Sequence, residues 1–270
     1  MLRVARQLFR FRGLLGTLTA RELKARYRGS VLGFLWSLAN PLLLLAVYSL
    51  VFGYLFKPGT DDGIRNRALF IVSGLFPWIW LSASTLEGSM SLIANSGLIR
   101  KAVFPAELLP MVVVLSNLVH LLLAMPVVLA ALVATWLLTD HAIGGAGVVL
   151  LPLVILLQIP MIAGLALGAS ALTVHFKDVR DLLANLLTLL FFLTPILYPM
   201  ALFAGRLRLI AWVVRLNPFT PFTLAYQKVI YWGEPPPTLL WVQMGMVSLV
   251  FWMAGAWLFE RLRETLVEAA

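Results

Sequence analysis

The chain has 270 residues, 61% of them hydrophobic and 12% charged, with a formal net charge of +9 and a mean hydropathy of +0.94. A soluble surface needs roughly twice that charged fraction, so composition excludes a soluble domain and predicts a polytopic membrane protein. Cysteine is absent, which excludes disulfides, thiolate catalysis and cysteine metal sites. The basic residues lie between apolar runs and no nucleic-acid motif accompanies them, so they read as orientation charge and headgroup attraction rather than nucleic-acid binding.

Residues 1–30 mix arginine with apolar side chains: Arg3, Arg6 and Arg10 recur at helical spacing among Leu2, Val4, Leu8, Phe9 and Phe11. This pattern predicts a helix in the headgroup layer with snorkelling arginines, although a topology signal with no further role would use the same charges. Arginine interrupts the segment too often for a cleavable signal peptide, so the first span is expected to be the uncleaved targeting signal, with the mature chain starting at or near Met1. Arg21, Lys24, Arg26, Tyr27 and Arg28 then run directly into an apolar helix beginning at Gly33. Its length of about 24 residues gives roughly 36 Å, enough to cross a bilayer with tilt.

Six apolar runs of spanning length follow, at approximately 31–56, 68–88, 107–138, 147–174, 182–200 and 238–259. With the amino terminus inside, fourteen of the 21 Lys and Arg residues fall in cytoplasmic segments, a bias that predicts six spans with both ends inside. Along the first span Tyr48, Phe52 and Phe56 form one aromatic stripe. Such a face suits sugar rings and makes these residues channel-lining candidates; helix packing and lipid contact use the same side chains. In the second span Pro77 predicts a kink near the outer interface, where Trp78 and Trp80 would sit at headgroup level, and Glu87 near the inner end is expected to be solvated.

Between the second and third spans, Asn95 or Ser96 can cap a short helix over 95–104, which Pro105 ends before Glu107 opens the next span. Its apolar side, Leu98, Ile99 and Phe104, beside Arg100 and Lys101, points to docking on a soluble partner. Asn117 and His120 share a face of the third span, where they hydrogen-bond across helices or contact a pathway. No second titratable group lies deep in the apolar runs, which favours packing over a proton relay. Gly164 and Gly168 form a small-xxx-small face in the fourth span. Residues 199–237 are apolar but broken by Pro199, Pro218, Pro221 and Pro235 to Pro237. Phe203, Leu207, Ile210, Ala211 and Val214 keep helical spacing among Arg206, Arg208 and Arg215, and Thr220-Pro221 reads as an N-cap followed by proline at N1. The pattern predicts two short amphipathic helices that dip into the outer leaflet or lie flat on it.

The sequence contains no phosphate-binding loop, no H-E-x-x-H, no G-x-S-x-G and no paired intramembrane carboxylates. A transporter with no engine of its own is a channel or borrows an ATPase, and the 95–104 helix is the natural place to receive one.

Four stretches together resemble the membrane subunit of ABC-2 type polysaccharide exporters, the permeases for O-antigen, capsule and teichoic acid precursors. They are 22–36 (ELKARYRGSVLGFLW) leading to Asn40-Pro41, 74–78 (GLFPW), 95–101 (NSGLIRK) with Phe104-Pro105, and 191–199 (FFLTPILYP) with Asn217-Pro218. The resemblance implies an all-α polytopic membrane protein, a single domain over 1–270. It would have six transmembrane helices, an amphipathic interface helix in 1–30, a cytoplasmic coupling helix at 95–104, and re-entrant outer helices at 199–232 before the last span. Two copies would form a channel in a bacterial inner membrane, both termini cytoplasmic, each copy docking a separate nucleotide-binding ATPase that holds ATP and Mg²⁺; this chain would carry no cofactor of its own. Leu98, Ile99, Arg100, Lys101 and Phe104 would couple to the ATPase. Tyr198, Pro199, Arg206, Trp212, Asn217 and Pro218 would belong to the gate. Arg21, Lys24, Arg26, Tyr27 and Arg28 would meet the headgroup of a lipid-linked glycan. The alternatives are an ABC-2 exporter of a small hydrophobic molecule or drug and, further off, a passive channel or a membrane scaffold.

Overall fold

A computed structural model describes residues 2–30, 33–55, 64–97, 105–138, 143–203 and 208–269, and every element assigned among them is helical. Four helical stretches, Arg67–Ala94, Leu108–Leu138, Ala146–His175 and Thr238–Arg263, are long and apolar enough to cross a membrane, as befits a multi-pass membrane protein. The amino-terminal segment is two helices, α1 (Leu2–Arg10) and α2 (Arg12–Arg26), broken at Phe11. α1 buries Val4 against the bundle and leaves Phe9 exposed, with the Arg12 guanidinium 4.7 Å from the centre of the Phe9 ring.

The first apolar run departs from the single helix expected. A 3₁₀ turn at Gly33–Leu35 leads into α3 (Trp36–Ser49), which widens into a π turn at Leu50–Leu55. α3 has 14 residues, a rise of about 21 Å that falls short of a hydrocarbon core about 30 Å thick, so the flanking turns complete the run.

α4 (Arg67–Ala94) is the hub. Asn66 caps it, accepting a hydrogen bond from the Leu69 backbone N–H at 3.1 Å. It packs against α3, α5 (Leu108–Leu138), α6 (Leu151–His175) and α7 (Val179–Leu193). Every residue from Ala68 to Trp78 is buried. The tryptophans are covered by protein rather than facing outward: Trp80 is 2% exposed, and its indole donates to the Val114 carbonyl at 3.1 Å. A helix surrounded by protein places its indoles where a carbonyl can satisfy them. The helix continues through Pro77, whose carbonyl accepts from Gln158 Nε2 at 3.4 Å. Asn95 closes α4 and donates to the Ser91 carbonyl at 2.9 Å, and Ser96 and Gly97 after it are again helical, the rest of 95–104 lying outside the described residues up to Pro105.

α6 and the last helix, α10 (Thr238–Ala269), pack along their length through glycines. A Cβ on Gly164 would lie 2.1 Å from the Phe251 carbonyl oxygen, and one on Gly255 would lie 1.9 Å from that of Gly164. Between helices in lipid, close van der Waals packing replaces the hydrophobic drive, and only glycine permits this approach. The small face expected around Gly164 is thus in use.

α7 stops at Thr194, which is extended (ψ 136°), the conformation preferred by a residue before proline. The broken region beyond contains α8 (Arg208–Leu216), α9 (Thr220–Tyr226) and a π turn at Gln227–Trp232. The two short helices behave differently. α9 is buried almost throughout, whereas α8 turns only Ala211 and Val214 inward and exposes Leu209, Trp212 and Leu216. Thr220 is the first residue of α9 rather than its cap. Its hydroxyl donates to the Val214 carbonyl at 2.6 Å, and Asn217 Oδ1 accepts from the Phe219 N–H at 3.0 Å.

Candidate functional site

The end of α2 supplies the basic residues and the following turn aims two of them at the bundle. The Arg28 N–H bonds the Ala25 carbonyl at 3.3 Å, the Ser30 N–H bonds that of Tyr27 at 3.2 Å, and Gly29 takes a φ of +80° that suits it. Arg26 then reaches across to α4 and α5. Its Nη1 donates to Asn117 Oδ1 at 3.0 Å, its Nη2 donates to Glu87 Oε2, and Asn117 Nδ2 donates to the same Glu87 oxygen at 3.0 Å. The three side chains close a triangle, and Glu22 Oε1 lies 3.6 Å from Arg26 Nε. One turn along α5, His120 Nε2 is 2.7 Å from the Tyr27 hydroxyl, with the rings edge to face at 5.9 Å. Burial pushes the Tyr27 phenol above its ordinary value, against the opposing effects of Arg26 and a hydrogen bond with Ser37, so the hydroxyl keeps its proton near neutral pH.

This cluster stands between two hollows. On one side a cavity of about 520 Å³ is polar where Arg26, Tyr27, Glu87, Asn117 and His120 line it and apolar beyond, along Leu43, Leu44, Val47, Phe76, Ile79 and Leu121. On the other a groove of about 570 Å³ is bounded by Arg21, Glu22, Ser91 and Asn95, and it shares Arg26 and Glu87 with the first. Chemically the arrangement is a guanidinium fork able to bind a planar or tetrahedral anion, at the head of an apolar hollow. Among the described residues no three His, Asp or Glu side chains gather as a metal site.

Of the basic residues expected to act together, Arg26 and Tyr27 enter the cluster, while Arg21, Lys24 and Arg28 remain exposed. Glu87, expected to be merely solvated, is bound to Arg26, and Asn117 and His120 do hydrogen-bond across helices. The signal that could have joined them is the cost of a lone carboxylate near a membrane, which demands a cationic partner. In the aromatic stripe Tyr48 stacks on Phe52 at 5.8 Å with the planes 9° apart, and Leu43, Leu44 and Val47 of the same helix line the cavity. Among the residues expected at the gate, the Tyr198 hydroxyl donates to the Phe192 carbonyl at 2.8 Å, Pro199 is buried, Pro218 is half-buried, and Asn217 Nδ2 donates to Thr194 Oγ1 at 2.9 Å. Phe56, Leu98, Ile99, Arg100, Lys101, Phe104 and Arg206 lie outside the described residues.

The model of the ABC-2 type transporter family matches residues 13–231, a stretch that contains the Arg26 cluster, both hollows and most of the broken region before α10. The chain belongs to the ABC-2 type transporter family. It is 37% identical, over the full length of both chains, to the O-antigen export system permease protein RfbA of Myxococcus xanthus. It is 31% identical to a protein of the same name from Klebsiella pneumoniae, over 82% of this chain and 81% of that one. Membership makes this chain the membrane component of an ABC transporter and implies an ATPase partner.

Proposed function

We propose that the chain is the channel-forming permease subunit of an exporter that moves lipid-linked polysaccharide across the bacterial inner membrane, driven by ATP hydrolysis on a separate subunit. The observation that carries this reading is the similarity to permeases named for O-antigen export, over the full length of both chains for one of them. The polar-headed cavity is consistent with it, since a lipid-linked glycan joins an anionic phosphate to an apolar chain. In this reading the six apolar runs all span, both termini are cytoplasmic, and α2 with the Arg26 cluster lies at the inner leaflet. Two copies form the channel, and each binds one ATPase. Arg21, Lys24 and Arg28, exposed beside Arg26, attract the substrate's diphosphate towards the membrane surface. Residues 199–232 form the outer gate, and 95–104 dock on the ATPase.

The test is deletion of the gene, with surface glycan and drug susceptibility measured together. Loss of glycan with drug susceptibility unchanged is expected; the reverse pattern would overturn the reading. Docking is tested by Leu98→Asp with Ile99→Asp, expected to cost about 1 to 3 kcal/mol per side chain in a desolvated contact. The ATPase should then fail to co-purify while membrane insertion is kept.

A further inference from the structure

The Arg26 guanidinium is already occupied by the chain itself. Nη1 and Nη2 both donate to the Glu87–Asn117 pair, and the Asn117 amide holds Glu87 in place from the other side. Through its single oxygen Oε2, Glu87 takes one arm of the guanidinium fork and the Asn117 amide, and a phosphate oxygen would accept from the same two donors. The pair is not sealed: the Arg26 side chain is 25% exposed and that of Glu87 43%, and each borders both hollows. Glu87 has a second place to go, since Arg21, next to Glu22, lines the groove that Glu87 borders. A tie serving stability alone would gain little from a charged pair in contact with solvent on two sides.

We propose that Glu87 is an internal substitute for the phosphate of a phosphate-headed amphiphile. On binding, a ligand phosphate takes the Arg26 fork and the Asn117 amide, Glu87 swings towards Arg21 in the groove, and the ligand's apolar chain lies along Val47, Ile79 and Leu121. The exchange replaces one anion at Arg26 by another and leaves the displaced carboxylate beside a cation, so no charge is stranded. Release runs in reverse: Glu87 competes for Arg26 and returns the headgroup to the pathway. This inference rests on the lipid-linked reading of the substrate and adds to it a site with a self-occupied resting state.

The experiment uses the full-length permease, purified with its ATPase partner, and measures binding of farnesyl diphosphate and of inorganic pyrophosphate. Glu87→Gln removes the competing charge and should tighten farnesyl diphosphate binding by about tenfold, while Arg26→Gln should weaken it by at least about tenfold. The double variant should bind as weakly as Arg26→Gln alone. Ala83→Phe, which fills the cavity from α4, should weaken farnesyl diphosphate and leave pyrophosphate unchanged, marking a lipid rather than a free phosphate as the ligand. Arg26→Lys keeps the charge without the fork and should fall between; it serves if Arg26→Gln is not recovered in the complex. Equal affinity of Glu87→Gln and the parent would overturn the proposal, as would binding indifferent to both Arg26 variants, and the triangle would then be a structural tie. Equal loss of both ligands in Ala83→Phe would overturn the lipid assignment. Gene deletion separates the two readings: glycan lost on deletion but no effect of Glu87→Gln on binding sinks the site and keeps the exporter, and the converse keeps the site and sinks the glycan.

Discussion

At the α2 end of the molecule helices are joined by charged side chains; at the far end they are joined backbone to backbone. The Arg26–Glu87–Asn117 triangle links α2, α4 and α5 across hollows on either side. At the far end Gly233, at a φ of +67°, closes the π turn so tightly on the start of the fourth apolar run that a Cβ there would lie 2.1 Å from the Gly145 nitrogen. The Gly147 N–H bonds the Gly233 carbonyl at 2.9 Å, the Gly144 N–H bonds that of Tyr231 at 2.8 Å, and the Tyr231 hydroxyl accepts from the Arg65 and Asn66 N–H groups at 3.0 and 3.2 Å. Glycine contacts have no alternative partner, so they hold one geometry. A charged triangle beside open space can exchange an anion, so that end can respond to a ligand.

Substitutions at the two ends should separate these behaviours. The largest expected effect is at the α6–α10 crossing: Gly255→Leu should destabilise by about 3 kcal/mol or more, because the side chain meets backbone that cannot yield. Thermal unfolding and the yield of monodisperse detergent-extracted protein would report it, and a parent-like melt would mean the helices can part. Gly233→Ala should cost about 2 kcal/mol from the positive φ and the Gly145 contact together, read by the same melt.

Arg26→Gln should behave otherwise, lowering stability by only about 1 kcal/mol because solvent reaches both partners, while surface glycan falls sharply. Comparing the melt with a glycan blot tests this. A large loss of stability with export intact would make the triangle as structural as the glycine contacts. The smallest effect on export is expected for Tyr27→Phe, which removes the hydroxyl's hydrogen bonds with His120 and Ser37, each worth about 1 kcal/mol or less, and should leave surface glycan close to normal.

Several features were legible in the chain because they depend on near neighbours. The long apolar runs, the breakage before α10, the small face at Gly164 and the alignment of Tyr48 with Phe52 all follow from spacing along one helix. The basic segment was legible too, but its division of labour was not. Nothing in 21–28 distinguishes Arg26, which is drawn into the bundle, from Arg21 and Arg28, which stay outside.

The sequence by itself determined that this chain lies in a membrane, where its four long helices run and that it belongs with ABC-2 permeases, because apolar length and local motifs need no partner to be read. Tertiary structure decided which faces those helices bury. Protein and lipid are both apolar, so a hydrophobic helix carries no periodic mark of its inward side, and nothing along α4 showed that neighbouring helices cover Trp78 and Trp80. It also decided the site: Arg26 meets Glu87 across 61 positions and Asn117 across 91. A pairing over that distance exists only once α2, α4 and α5 have packed, because the charge that each residue needs is brought to it by a different helix.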